Sequence, residues 1–155
     1  MEDYLQKLKA ALDARRSKDF VIVARTDCKE SFGMDEVVKR LNIYADNGAD
    51  LALSGSLHTL DEYKRLAKEV KIPVIGVGPA DPAATTIQQW EKTGVKMVTI
   101  FGLTLFASIK AQLKALNMLR TEGSLGKIKD EFVTYDEYAD IVKLPQWMKL
   151  CEHKS

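Results

Sequence analysis

Residues 20–27 read Phe20-Val21-Ile22-Val23-Ala24-Arg25-Thr26-Asp27, and this stretch decides the fold. Its first five residues are apolar without a break, and three polar residues then end the run abruptly. A continuous run rich in Val and Ile is typical of a parallel strand that helices cover on both faces. In such sheets ligands bind beyond the carboxyl ends of the strands. The stretch therefore predicts a buried strand from Phe20 and a ligand site near Arg25 and Asp27.

The overall composition indicates one ordinary globular domain, which we expect to span residues 1–155. The 23 basic and 22 acidic residues nearly balance, so nothing favours a nucleic acid or an anionic membrane as partner. No apolar run approaches the roughly 20 residues of a membrane span, and the chain begins with a polar helical pattern rather than a secretory signal. Cys28 and Cys151 lack metal-type spacing, which favours a reduced, cytoplasmic setting.

The rest of the chain repeats a strand–helix unit. Hydrophobic periodicity predicts a first helix over residues 3–16, the strand at Phe20, and a second helix after a polar loop over residues 28–33. Gly48, Gly94 and Gly123 are predicted to end helices. The other elements predicted are strands at 51–53, 73–77 and 95–101, a long helix over 103–122, and three helices opened by capping boxes at Thr59–Glu62, Thr85–Gln88 and Thr134–Glu137. Successive strands begin about 20 to 30 residues apart, as in an eight-unit α/β barrel of roughly 250 residues.

Several segments, taken in order, resemble the isocitrate lyase/phosphoenolpyruvate mutase superfamily. They are Val23-Ala24-Arg25-Thr26-Asp27, Gly33-Met34-Asp35-Glu36, Tyr44-Ala45-Asp46-Asn47-Gly48-Ala49-Asp50, Gly94-Val95-Lys96-Met97-Val98 and Ala107-Ser108-Ile109. The region from Ser124-Leu125 to Thr134-Tyr135-Asp136-Glu137 is similar to the end of the phosphoenolpyruvate mutase branch in particular. The resemblance covers nearly the whole chain and places it on the last four strands of a (β/α)8 barrel.

The resemblance implies a lyase or mutase that uses Mg²⁺ to act on C–C or P–C bonds of small oxo- or hydroxy-acids. A hard cation suits such chemistry because it holds carboxylate and enolate oxygens together. The acidic metal ligands of the family lie on earlier strands, so we expect none in this chain and assign no catalytic residue. Arg25 matches the family arginine that binds the substrate's carboxylate or phosphonate through its two parallel donors. Asp27 is expected to support it, with further substrate contacts predicted at Ser54, Ser56 and Gly78.

This sequence departs from the family where its substrate contacts usually lie. Gly55 stands where the family usually has Glu or His, and residues 77–79 and 101–103 read Val-Gly-Pro and Phe-Gly-Leu in place of polar contacts. These departures favour a second hypothesis. The chain is then a non-catalytic remnant or an oligomerisation module that keeps the scaffold without the chemistry.

For several residues the pattern allows two interpretations. Arg25 faces an anion, as we prefer, or pairs with a carboxylate such as Asp27 or Glu30. The glycines at 76, 78 and 102 form a phosphate-binding edge or, as we prefer, tight turns. His58 contacts a ligand or, as we prefer, is a solvated loop residue without a carboxylate to orient it. Cys28 is expected to be a small packing residue, and Cys151 and His153 receive no role.

The predicted fold class is α/β, a half barrel of four parallel strands with flanking helices. Two open edges and an inner face without an opposite wall expose apolar surface. Two chains could pair into a complete barrel, the sheet could flatten, or the chain could be poorly soluble. We expect a homo-oligomer formed through the sheet edges or the C-terminal helix, with residues 134–147 as the candidate interface, and a small anionic oxo-acid as ligand.

Overall fold

Four parallel strands form one sheet in the order β1-β2-β3-β4, as the half-barrel prediction requires. The structure is a computed structural model that describes residues 1–78 and 85–152. In the sheet, Arg25 lies beside Leu53, Leu53 beside Ile75, and Ile75 beside Met97. The strands are β1 (Val23–Arg25), β2 (Leu51–Leu53), β3 (Val74–Gly78) and β4 (Met97–Ile100).

Helices precede and separate these strands and follow the last one. They are α1 (Glu2–Ala14), α2 (Lys29–Asp46), α3 (Leu60–Glu69), α4 (Ile87–Glu91), α5 (Leu103–Glu122), a 3-10 helix (Gly126–Glu131), α6 (Tyr135–Ile141) and α7 (Leu144–Glu152). Within residues 1–78 and 85–152, none of these helices is long and apolar enough to cross a membrane.

The first strand is shorter and less buried than its apolar run predicts. Phe20 ends a turn, in which its N–H donates to the carbonyl of Ser17, and it is 69% exposed. Pairing with β2 begins only at Val23, because β2 is itself three residues long. Val23 is 40% exposed and Ala24 is fully buried. The prediction of a strand buried on both faces was therefore wrong, since side chains alternate across a sheet that helices cover on one face only.

The sheet has a helix-covered face and an open face, which we define by residues that share rows of the register. The helix-covered face consists of Ala24, Ala52, Val74, Gly76 and Val98. Its side chains pack in the main core with side chains of α1, α2 and α3. The open face consists of Val23, Arg25, Leu51, Leu53, Ile75, Val77, Met97 and Thr99. On it only Ile75 is buried.

Most helix boundaries follow the predicted caps. Thr59 and Thr134 open α3 and α6 with complete capping boxes, and Gly48, Gly94 and Gly123 adopt the left-handed backbone that ends a helix. The predicted box Thr85–Gln88 was wrong by one residue, because Thr86 and Gln89 form it instead. The polar segment predicted as a loop is also partly wrong: Lys29–Phe32 already form the first turn of α2, which is kinked at Gly33.

The chain divides into two compact units, Met1–Leu103 and Thr104–Ser155. The first contains the sheet and the main core. The second consists of most of α5, the 3-10 helix, α6 and α7. A single domain over residues 1–155 stays a prediction.

Candidate anion site at the carboxyl end of the sheet

Arg25 and Asp27 form an ion pair at the end of β1. The Nε and Nη2 atoms of Arg25 each lie 2.8 Å from Oδ2 of Asp27, and Oδ1 of Asp27 accepts the backbone N–H of Gly55 at 2.7 Å. The pKa of Asp27 is lowered: partial burial opposes the shift, but the bonds from Arg25 and Gly55 outweigh it. The neighbouring carboxylate raises the pKa of Arg25. Arg25 therefore pairs with Asp27, the second of the two interpretations, and this pair holds its guanidinium at the end of β1.

The glycine at position 55 makes room for this pair. A Cβ atom there would lie 2.7 Å from Nη2 of Arg25 and 3.2 Å from Oδ1 of Asp27. The guanidinium thus fills the space into which a side chain at this position would project. The departure from the family pattern at Gly55 and the arginine–aspartate pair are consequently one structural feature.

A cavity of about 740 Å³ opens at the carboxyl ends of the strands, within the first unit. Arg25 lines it with a side chain that is 62% exposed, so the guanidinium is both paired and accessible. Gly78, the last residue of β3, also lines it, and its role as a substrate contact stays a prediction. The other lining residues are Leu53, Gly55, Leu57, His58, Thr59, Leu60, Tyr63, Val77, Thr85, Trp90, Thr99 and Phe101.

Ser54 and Ser56, which we predicted to contact substrate, do not line the cavity. Ser54 is fully buried and Ser56 nearly so, and their hydroxyl oxygens lie 3.1 Å apart in a hydrogen bond. The hydroxyl of Tyr63 donates to the carbonyl of Ser54 at 3.3 Å. Successive side chains of an extended chain point to opposite sides. Ser54 and Ser56 therefore point away from the side on which Gly55 meets Arg25. Their prediction as substrate contacts is corrected to a buried structural pair.

His58 is an exposed loop residue, as we preferred, but the sequence analysis missed its carboxylate partner. It lines the cavity, and its Nε2 lies 2.9 Å from Oε1 of Glu30, so the expectation that no carboxylate orients it was wrong. The available signal was strand adjacency: Glu30 follows β1 and His58 follows β2, and the carboxyl ends of neighbouring parallel strands lie side by side.

A second ion pair joins the same two segments. The Nζ atom of Lys29 lies 2.7 Å from Oε1 of Glu62, and Oε2 of Glu62 accepts the backbone N–H groups of His58 and Thr59 at 2.8 and 3.1 Å. Burial acts to raise the pKa of Glu62, but the bonds from Lys29, His58 and Thr59 prevail and lower it to about 2. Glu62 thus stays ionised and holds the backbone of the cavity rim.

The glycines and Cys28 have mainly structural roles. A Cβ atom on Gly76 would lie 2.6 Å from the Trp90 ring, so a glycine in β3 lets this ring pack directly on the strand. Neither the phosphate-binding nor the turn interpretation predicted this role. Gly102 has a left-handed backbone between β4 and α5, as the turn interpretation requires.

Cys28 is buried in the core, which confirms its packing role. Pro79, His153 and the side chain of Cys151 lie outside the part of the chain that the structure describes.

The donor atoms around the cavity do not suit Mg²⁺, the cofactor that the family resemblance implies. The lining residues include no carboxylate, whereas Mg²⁺ is usually held by one or more carboxylates. Both oxygens of the nearby Asp27 are already bonded to Arg25 and Gly55. Across residues 1–78 and 85–152 there is no cluster of three or more metal-ligating acidic, histidine or cysteine side chains. The cavity does hold one charged donor, the guanidinium of Arg25.

Four parallel strands with flanking helices define an α/β protein of the barrel class, with an arginine at the end of the first strand. Within that class the chain belongs to the phosphoenolpyruvate phosphomutase family, whose model matches residues 1–120. This confirms the superfamily inferred from the sequence motifs.

Known relatives are lyases and mutases of the same superfamily. The chain is 34% identical over 144 residues to 2-methylisocitrate lyase of Aeropyrum pernix, covering 91% of this chain and 46% of that protein. It is 27% identical over 155 residues to the chloroplastic carboxyvinyl-carboxyphosphonate phosphorylmutase of Arabidopsis thaliana, covering 96% of this chain and 45% of that protein. A structure of phosphonopyruvate hydrolase with oxalate and Mg²⁺ matches with a TM-score of 0.83 and 26% identity, covering 98% of this chain and 55% of that one. The chain therefore spans about half the length of these relatives.

Proposed function

We propose that this chain supplies the anion-binding part of a lyase or mutase site that acts on C–C or P–C bonds of a small oxo- or hydroxy-acid. The observation that carries the proposal is the accessible guanidinium of Arg25 at the carboxyl end of β1, held by Asp27. Asp27 occupies one side of the guanidinium, and the remaining N–H groups are free to donate to a carboxylate or phosphonate. The relatives named above, which are lyases, mutases and a hydrolase of this superfamily, support the reaction class.

On this proposal the chain binds substrate but does not complete the reaction by itself. An enolate-like intermediate requires a cation or several aimed donors where negative charge develops. In the described part of the chain the cavity offers one guanidinium and no carboxylate for Mg²⁺. We therefore place the metal-binding part of the site in the half of the barrel to which this chain does not correspond.

Calorimetric titration with oxalate in the absence of Mg²⁺ tests the proposal. We expect saturable binding that weakens at least tenfold in Arg25→Gln, because a charge-assisted bidentate contact is lost. Arg16→Gln is the matched control, since Arg16 is exposed and does not line the cavity. Equal binding by wild type and both variants would refute the proposal.

Gly55→Ala provides an independent probe of the same contact. The added methyl group would enter the space of the Arg25 guanidinium, which must move. We expect weaker oxalate binding with a nearly unchanged melting temperature, because the displaced atoms belong to a flexible, exposed side chain. Unchanged affinity would show that the position of the guanidinium does not matter for binding.

The alternative function is a non-catalytic scaffold or oligomerisation module. It is favoured by the exposed apolar side chains of the open face, such as Val23 and Met97, which are 40% and 47% exposed. It is also favoured by α5, on which Leu105, Leu113 and Leu116 are more than half exposed. We propose a second copy of the chain as the partner, through the sheet edges or the C-terminal helices, in a reducing cytoplasm. Light scattering that gives a monomer mass would contradict this alternative.

A further inference from the structure

The ring of His58 pairs with Glu30, and both side chains are well exposed, 65% and 69%. Its Nε2 lies 2.9 Å from Oε1 of Glu30, and an ionised carboxylate can only accept hydrogen bonds. Nε2 therefore carries the proton that Glu30 accepts, and Nδ1 is the nitrogen left for another partner. Glu30 thus fixes one ring nitrogen of His58 and leaves Nδ1 available to a ligand.

The backbone of His58 is held as firmly as its ring. Glu62 accepts the N–H groups of His58 and Thr59, and Lys29 binds the other oxygen of Glu62. The Lys29–Glu62 and Glu30–His58 pairs are consequently two parallel bridges between the start of α2 and the start of α3. Because the carboxyl ends of β1 and β2 adjoin, these bridges fix His58 on the same rim as Arg25.

We propose that His58, positioned by Glu30, is a second ligand-binding residue of the cavity, and that Arg25 and His58 together hold two acidic groups of one anion. The inference rests on the proposed function, since it assigns the second end of a ligand whose first end binds Arg25. Both side chains line the cavity, and no lining residue in the described part of the chain opposes them with a carboxylate.

A hydrogen bond from His58 to a second acidic group requires a proton on Nδ1. Because Nε2–H is donated to Glu30, this contact needs the doubly protonated ring. We therefore expect binding of a dianion to be linked to a proton on His58, whereas binding of a monoanion by Arg25 alone is not. Glu30 contacts the ring of His58, and Glu62, which Lys29 binds, accepts its backbone N–H. Arg25 and Tyr63 are the titratable side chains that line the same cavity.

Calorimetry with succinate and butyrate, which share a four-carbon chain, tests the inference. We expect wild type to prefer succinate about tenfold, as one charged hydrogen bond would give. In buffers of different ionisation enthalpy at pH 8, succinate binding should take up a proton and butyrate binding should not. His58→Gln should bind both ligands equally and without proton uptake, while His153→Gln, which changes the chain's other histidine, should behave as wild type.

The positioning role of Glu30 has its own readout. In Glu30→Ala the ¹⁵N spectrum of the His58 ring should lose its preference for the Nε2–H form, and proton uptake on succinate binding should fall. A succinate preference that survives in His58→Gln, with butyrate binding still lost in Arg25→Gln, would overturn this inference and leave the proposed function standing. Loss of neither ligand in Arg25→Gln would overturn both.

Discussion

The two faces of the sheet differ in how completely they are packed. On the helix-covered face Ala24, Ala52 and Val74 are 0%, 0% and 2% exposed, while on the open face Val23 and Met97 are 40% and 47% exposed. The strands are the same, so the difference comes from what lies against each face. The cavity at the carboxyl ends includes the open-face residues Arg25, Leu53, Val77 and Thr99. Stability should therefore depend on one face and ligand binding largely on the other.

Gly76→Ala should give the largest loss of stability. Its Cβ would lie 2.6 Å from the buried Trp90 ring, and overpacking of this kind costs about 1–3 kcal/mol. Gly78→Ala is the control, because its Cβ would make only an ordinary contact at 3.4 Å with the carbonyl oxygen of Thr99. Urea denaturation measures both. Equal midpoints for the two variants would mean that Trp90 does not pack against Gly76.

A matched pair of valines compares the two faces directly. Val74→Ala removes buried methyl groups and should lower the free energy of unfolding by about 2 kcal/mol. Val23→Ala removes the same atoms from a half-exposed position on the open face and should cost below about 1 kcal/mol. If Val23→Ala were as destabilising as Val74→Ala in urea denaturation, the open face would be covered in solution, for example by a second copy of the chain.

The acid stability of the chain should depend on Glu62 at the cavity rim. Its pKa is about 2 in the folded chain against an ordinary 4.5, so its contribution is present above pH 4.5 and is lost as the pH falls towards 2. After allowance for solvent screening, we expect about 1 kcal/mol from this group. Glu62→Gln should flatten the fall in thermal stability between pH 5 and 2.

Glu137→Gln is the control for Glu62. Glu137 closes a capping box on α6, where the bonds from Thr134 also lower its pKa, but it is fully exposed. Its substitution should change the acid profile less. A steeper dependence on Glu137 than on Glu62 would show that the Lys29–Glu62 bridge adds nothing to the cap.

The order of elements could be predicted from sequence because it depends on local signals. Capping boxes at Thr59 and Thr134, helix-ending glycines and the long helix over 103–122 all appear as predicted, since each is set by neighbouring residues. The burial of the first strand could not be predicted from sequence, because an apolar run does not reveal that helices cover only one face of the strand. Arg25 was placed correctly at a strand end, and its pairing with Asp27 was one of the two stated alternatives.

The errors in the site arose from side-chain direction and from contacts between separate segments of the chain. Ser54 and Ser56 lie just beyond β2, as Asp27 lies just beyond β1. Side chains there alternate, so one position decides whether a residue faces the cavity. The Glu30–His58 pair joins residues 28 positions apart, one in the first turn of α2 and the other in the loop before α3. Such a contact follows from strand adjacency and from no pattern within either segment.

The most direct test of the account is to follow the arginine Nε–H resonances by NMR while oxalate is added to the intact chain. Nε of Arg25 donates to Asp27 and reports on the paired guanidinium at the cavity. The account predicts a saturable shift of the Arg25 resonance, with the Arg16 resonance unmoved. Shifts of equal size at both arginines, or no saturation at Arg25, would contradict an anion site at the carboxyl end of the sheet.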